Sequence, residues 1–263
     1  MANHHMDNKD AEISRAIVDT YSQKLQSSLL SDIIIVGAGP SGMVAARKLA
    51  ENGLKTTIVE KRLAPGGGIW GGGMTMNVAV VEENALRILE SYGIQYSEFK
   101  NGLYTVDTNE LAAGLCFHAV QAGATILNAV TAEDICLHEN KVTGVVVNRS
   151  MIAGNLPVDP LTLSSKAVID GTGHEAVMVH AVRKRGLLKD SLGETLKGEG
   201  GMDADSGEKF VVEKAGEIFP GLWLSGMSVC AALGGARMGP IFGGMLLSGE
   251  RVADEIIEEI EQS

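Results

Sequence analysis

The sequence predicts an α/β fold built on a Rossmann-like dinucleotide-binding βαβ unit, and three observations predict it. Two short apolar runs rich in β-branched residues, Ile33-Ile34-Ile35-Val36 and Thr56-Thr57-Ile58-Val59-Glu60, bracket a helical segment from Ser41 to Gly53. Continuous runs of this kind are strands covered on both faces, as in a parallel sheet. Between the first run and the helix lies Gly37-Ala38-Gly39-Pro40-Ser41-Gly42, a GxGxxG. Glycine supplies 33 of 263 residues, well above the usual share of about 7%, so backbone is being bent around something.

Each element follows in order. Residues 10–29 place Ile13, Ile17, Tyr21, Leu25 and Leu29 four apart, the stripe of an amphipathic helix that packs on something else. Residues 1–30 therefore read as a packing or oligomer-forming segment, and 31–263 as a single compact dinucleotide-binding domain with an inserted, mixed and β-rich region. Gly53 closes the first helix of the βαβ unit. From Leu63 to Asn77 the chain is almost wholly Gly, Pro and small apolar residues around Trp70. That composition predicts an ordered binding loop, since a flexible linker would be rich in serine. Residues 82–92 and 107–122 read as helices, the second capped by Asp107 or Thr108, and 124–149 as strands turning at Glu139-Asn140. Ala167 to Asp170 is another buried strand and 175–185 a helix. The polar, glycine-rich stretch 186–209 reads as a mobile surface segment. A last strand runs from Gly221 to Met227, and a helix follows Gly239 to an acidic end. No internal repeat is visible.

Charge and cysteine content narrow the function classes. Lys and Arg number 22 against 33 Asp and Glu, a net charge of −11, which argues against nucleic acid or an anionic membrane as partner. Cys116, Cys136 and Cys230 are odd in number, far apart and in no CxxC pair, so a disulfide framework is unsupported and a reducing cytoplasmic setting is expected. The first residues lack an apolar secretory segment. The longest uncharged stretch tested as a span, Ile218 to Ala236, contains Pro220, Gly221, Gly226, Gly234 and Gly235, which is loop and strand chemistry.

Three constellations carry chemistry. In the GxGxxG, Gly37 makes the tight turn, Gly39 lets backbone N–H groups reach a pyrophosphate, and Gly42 lets helix and strand touch. Glu60, at the end of the next strand, is placed to accept hydrogen bonds from ribose hydroxyls and to repel a 2′-phosphate. The motif alone leaves NAD and FAD open. Flavoproteins of this fold carry an aspartate at the end of a late strand, whereas here Gly226-Met227-Ser228 holds no acid and the next is Glu250; that argues against FAD. Arg237 is the only charge between Glu217 and Glu250, and a guanidinium in apolar surroundings needs an anion, either an internal acid or a substrate carboxylate or phosphate. Asp159 and His174 flank the strand that ends at Asp170. Carboxylate plus imidazole suits Fe(II), Mn(II) or Zn(II), although spacing alone favours a structural cap and a core histidine.

Taken together, the βαβ with GAGPSG, the PGGGIWGGGM loop, VDP before a strand, TGH after it and RMGPIFGGMLLSG near the end resemble the thiazole synthases of thiamine biosynthesis, the Thi4 family, over residues 15–260. The resemblance implies a glutathione-reductase-like fold and a transferase of the pentosyl-transfer class. NAD is then a co-substrate: nicotinamide is lost, the ADP-ribose is isomerised, glycine condenses as an imine, and sulfur addition and ring closure give an adenylated thiazole carboxylate. The same resemblance puts Gly37, Gly39, Ser41, Gly42, Glu60, Lys61, Gly68, Val130 and Met227 on the nucleotide. Asp159 and His174 become ligands of Fe(II), and Arg237 holds the glycine carboxylate beside Met238 and Gly239. Ring-like homo-octamers are implied as well. Eukaryotic members sacrifice a cysteine two residues before the metal-binding aspartate, and many archaeal members carry histidine there. Pro157 stands at that place, and a pyrrolidine ring can neither donate sulfur nor bind metal, so free sulfide and multiple turnover are expected. The rival readings are a FAD- or NAD-dependent oxidoreductase of the same fold and a non-catalytic nucleotide-binding oligomer.

Overall fold

The βαβ unit forms the centre of the molecule. The computed structural model describes residues 8–151, 158–188 and 198–262. In chain order these form α1 (Lys9–Ser28), β1 (Ile33–Val36), α2 (Pro40–Glu51), β2 (Thr56–Glu60), β3 (Val78–Glu82), α3 (Leu86–Ser91), β4 (Ser97–Lys100), β5 (Leu103–Asp107), α4 (Thr108–Gln121), β6 (Thr125–Asn128), β7 (Val130–His138), β8 (Lys141–Arg149), β9 (Leu161–Ser164), β10 (Ala167–Asp170), α5 (Val177–Arg183), β11 (Gly200–Met202), α6 (Ala204–Lys214), β12 (Gly216–Phe219), β13 (Leu222–Leu224), α7 (Met227–Leu233), β14 (Ala236–Arg237) and α8 (Gly243–Glu261), with 3-10 turns at Ile69–Gly71, Glu83–Ala85 and Gly173–Glu175.

The main sheet has the order β12-β13-β10-β1-β2-β6. All its neighbours are parallel except β12, which runs antiparallel to β13. Because β1 pairs with β2 on one side and β10 on the other, the chain leaves β1 in one direction and returns on the opposite flank. The carboxyl end of such a strand is where an open α/β sheet leaves a crevice. Ile33, Ile34 and Ile35 are fully buried, as a strand covered on both faces requires. An antiparallel β7-β8-β9 sheet and a smaller β3-β5-β4 sheet make the inserted β-rich region. The turn between β7 and β8 is the two residues read from the sequence: Glu139 and Asn140 both take positive φ, as a two-residue hairpin of the primed type demands.

Several elements differ from expectation. The stretch read as a helix from 82 starts on the last residue of β3, continues as a 3-10 turn, and α3 is only six residues long. Within 186–209, β11 pairs with β14 and residues 204–209 open α6; residues 189–197 of that segment lie outside the described residues. The last strand stops at Leu224, and Met227 starts a helix. The stretch 218–236 is thus divided among β12, β13, α7 and the start of β14, and among the described residues no helix is long and apolar enough to cross a membrane. Along the predicted stripe only Tyr21 and Leu25 are half-buried, while Ile13, Ile17 and Leu29 are 50%, 66% and 42% exposed in the single chain.

One carboxylate inside the fold has a measurable consequence. Glu208 of α6 is 4% exposed, and its Oε2 accepts the Gly244 N–H at the start of α8, 2.5 Å away. Its Oε1 has no partner among the described residues. Burial pushes this carboxyl up to about 7, the Gly244 N–H opposing and the charge of Glu82 adding to the rise. Below the ordinary carboxyl range both folded and unfolded chains hold this proton. As pH rises toward 7 the unfolded chain gives it up while the folded one keeps it, so stability falls, and above 7 the loss is complete. Glu208→Gln is expected to shrink the difference in unfolding free energy between pH 5 and pH 8 by roughly 2–3 kcal/mol, as urea unfolding of both proteins at the two pH values would measure. An unchanged difference would show that Glu208 is ionised in the folded chain.

Candidate active site

A cavity of about 700 Å³ opens at the carboxyl ends of β1, β2 and β10, a size typical of small-molecule sites. On its floor the three glycines have three different reasons. Gly37 takes φ +101°, and a Cβ there would lie 2.5 Å from the Gly171 carbonyl oxygen. A Cβ on Gly42 would meet the Gly37 carbonyl oxygen at 2.3 Å, so this glycine sets the approach of α2 to β1. A Cβ on Gly39 would meet nothing within 4 Å; what it would occupy is cavity. Gly39 is also the N-cap of α2, Pro40 follows it, and no side chain caps the helix. The first-turn N–H groups are therefore left for an anion.

Glu60 ties this turn to the next strand. It is 4% exposed, with Oε2 accepting the Ala38 N–H at 2.8 Å and Oε1 the Arg62 N–H at 2.7 Å. Each oxygen retains a lone pair, and the carboxylate lines the cavity. Ser41 is buried, its hydroxyl accepting from Ser225 Oγ at 3.2 Å. Lys61 spans the rim, its Nζ 2.7 and 2.6 Å from the two carboxylate oxygens of Glu175, so an incoming phosphate would compete with that pair.

The TGH turn is fixed from below. Asp170, fully buried at the end of β10, accepts from Thr172 N and Oγ1, from Met178 N and Val179 N at the start of α5, and from Ser228 Oγ. Ser228 Oγ in turn accepts the Gly173 N–H at 3.0 Å. His174, carried on this turn, has a side chain 57% exposed. Its Nδ1 is hydrogen-bonded to Glu199 Oε1, and the other oxygen of Glu199 lies 3.6 Å from Arg237 Nε.

Of the residues singled out in the sequence, Gly37, Gly39, Ser41, Glu60, Lys61, Gly68, Val130, His174, Met227, Arg237, Met238 and Gly239 all line this one cavity. Gly42 lies beneath it. Asp159 is exposed and is absent from the lining, so within one chain the structure does not bring it into the site with His174. Among the described residues no three His, Cys, Asp or Glu side chains form a metal-holding group. Glu199 was missed, because it sits in the segment read as mobile surface. The unmet need of Arg237 for an internal acid was the one sequence feature that pointed to it, and the structure supplies that acid, at Nε alone.

Burial disfavours the thiolate form of all three cysteines. Cys230 is buried on α7, and burial, with Glu199 and Glu208 adding, pushes its thiol up to about 11. Cys116 and Cys136 are half-buried and shifted the same way by burial. None lines the cavity, and the thiolate is the reactive form. Pro157 lies outside the described residues.

The profile of the Thi4 family matches residues 14–242. This chain belongs to the Thi4 family. As a Thi4 chain it is 50% identical over 254 residues to the thiamine thiazole synthase of Thermococcus kodakarensis, covering 96% of this chain and 99% of that protein. It is 48% identical over 256 residues to that of Thermotoga maritima, covering 97% and 100%. A crystal structure of Thermovibrio ammonificans THI4 superposes with a TM-score of 0.92 at 41% identity, covering 98% of this chain and 100% of that one. The Thi4 fold thus extends over nearly the full length of this chain.

Proposed function

We propose that this chain is an iron-dependent thiazole synthase of thiamine biosynthesis, making adenosine diphosphate thiazole from NAD, glycine and free sulfide, releasing nicotinamide and turning over repeatedly. The observation that carries the reading is the single cavity into which the dinucleotide turn, Glu60, His174 and Arg237 all open. Relatives named thiamine thiazole synthase at 48–50% identity support it.

The chain's own residues divide the work. The glycine turn and the uncapped start of α2 bind the pyrophosphate, and Glu60 receives the adenosine ribose while rejecting a 2′-phosphate. Arg237, whose Nε faces Glu199 at 3.6 Å, offers its two Nη groups to the glycine carboxylate. The imidazole fits a metal ligand, since its Nδ1 is held by a carboxylate and Nε2 makes no hydrogen bond among the described residues. Asp159, exposed and outside the cavity, completes a two-residue metal site only from a second copy of the chain, consistent with a homo-oligomer and, by the resemblance, an octamer. When bound, Fe(II) supplies Lewis acidity and a place for sulfide beside the substrate. Three unpaired cysteines and the use of sulfide suit a reducing cytoplasm.

Anaerobic incubation with NAD, glycine, sulfide and Fe(II) is expected to release free nicotinamide and yield an adenylated thiazole by mass spectrometry. Accumulation of NADH, or yellow flavin released from purified protein, would replace this reading with the oxidoreductase one.

A further inference from the structure

We propose that Glu199 is the positioning residue of this site, one carboxylate that sets the imidazole of His174 and the guanidinium of Arg237 together. The inference rests on the site reading above for the identity of the ligands, but its geometry stands on the fold.

A carboxylate offers only acceptor atoms. A neutral His174 bonded to it carries its proton on Nδ1 and keeps the lone pair on Nε2, free for a ligand in the cavity. Without that partner the imidazole of a half-exposed histidine chooses its tautomer and ring orientation freely. The second oxygen faces Arg237 Nε at 3.6 Å, a charge contact longer than a hydrogen bond. The Nη groups make no hydrogen bond among the described residues, and a guanidinium held from its Nε side presents them as a fork.

Glu199 is not a loose surface acid. Its side chain is 16% exposed. The next residue, Gly200, donates its N–H to the Gly235 carbonyl at 2.9 Å and pairs with Ala236, and Asp203 N–H reaches the Arg237 carbonyl at 3.0 Å. The backbone carrying the acid and the backbone carrying the arginine are therefore one short ladder, β11 on β14. His174 arrives from a different part of the chain, on the turn after β10. Glu199 is the side chain that touches both.

The test uses the full-length protein. Magic-angle-spinning NMR of metal-free protein labelled with 15N-histidine, with His174→Asn to assign the signal, reads the tautomer. The wild type is expected to show the Nδ1–H form, and Glu199→Ala a mixed or Nε2–H population. Glu199→Ala should weaken Co(II) binding by about 10–100-fold. Glu199→Gln keeps an oxygen for Nδ1–H and should restore Co(II) binding to within about threefold, while still lacking the charge that holds Arg237. Both variants should raise the KM for glycine about fivefold or more and leave that for NAD nearly unchanged, as loss of an oriented charge contact predicts. An Nε2–H tautomer in the wild type overturns the proposal without any variant. So does a Glu199→Ala protein that melts lower yet keeps the wild-type tautomer, Co(II) affinity and glycine KM, which would make Glu199 a structural tie only. If the wild type releases no nicotinamide, the functional reading fails separately, because the tautomer is read on resting protein.

Discussion

Asp159→Ala and His174→Ala are each expected to abolish thiazole formation and strip most of the Fe(II), while unfolding within a few degrees of the wild type. Both side chains are exposed in the single chain, so truncating either removes little packing. The decisive arm mixes the two. A site that takes His174 from one chain and Asp159 from its neighbour is intact whenever a chain carrying Asp159→Ala lends its histidine beside one carrying His174→Ala. In randomly assembled 1:1 oligomers that is roughly a quarter of the sites, so co-expression of two inactive proteins should return roughly a quarter of wild-type activity. Anaerobic reconstitution followed by iron analysis and product mass spectrometry measures it. No activity in the mixture would place both ligands in one chain, contrary to the position of Asp159 outside the cavity. Full iron and activity in either single variant would make that residue structural.

The sequence legibility of this site divides by distance along the chain. The βαβ unit was readable because its devices are local: β-branched runs, three glycines within six residues, and an acid at the end of the following strand. Each has its physical counterpart in the fold, down to the 2.3 Å approach that only Gly42 permits. The β3-β5-β4 sheet was not readable. All four residues of β4 are exposed, so it buries no face that would impose alternation, and β3 alternates in burial through only Ala79 and Val81, in a run of apolar residues that hides the period. Met227, read as the end of the last strand, instead opens α7, whose seven residues are almost all buried, and an apolar run without a polar face has no period to distinguish helix from strand. Glu199 was illegible for another reason: it joins residues 25 positions before it and 38 after it, and nothing local to a glycine-rich polar stretch announces a pairing at that range. Asp170 was the intermediate case. It was visible as a strand end, but its role as the acceptor that fixes the His174 turn depends on α5 and α7 folding back over it.

Arg237→Lys is expected to damage glycine use sharply while NAD binding survives. A lone charge in an uncharged stretch suggested a dry pocket, for which breaking a charge-assisted pair costs about 2–5 kcal/mol. The structure moderates this, since the Arg237 side chain is 54% exposed in the single chain and water screens what it holds. The lower end of the range applies, and kcat/KM for glycine should fall about 30-fold for a loss of about 2 kcal/mol. Lysine keeps the charge opposite Glu199 but replaces the two-pronged fork with a single point charge. Arg237→Ala loses both, and should cost more in glycine use without further change in the KM for NAD. Steady-state kinetics varying glycine at saturating NAD, then the reverse, separates the two effects. The internal acid revealed by the fold makes the opposite outcome specific: if Arg237 serves only to neutralise Glu199, both variants keep normal glycine dependence and Arg237→Ala, which loses the charge, melts at lower temperature. In that case the carboxylate-binding role of Arg237 must be withdrawn, whatever the standing of the metal site.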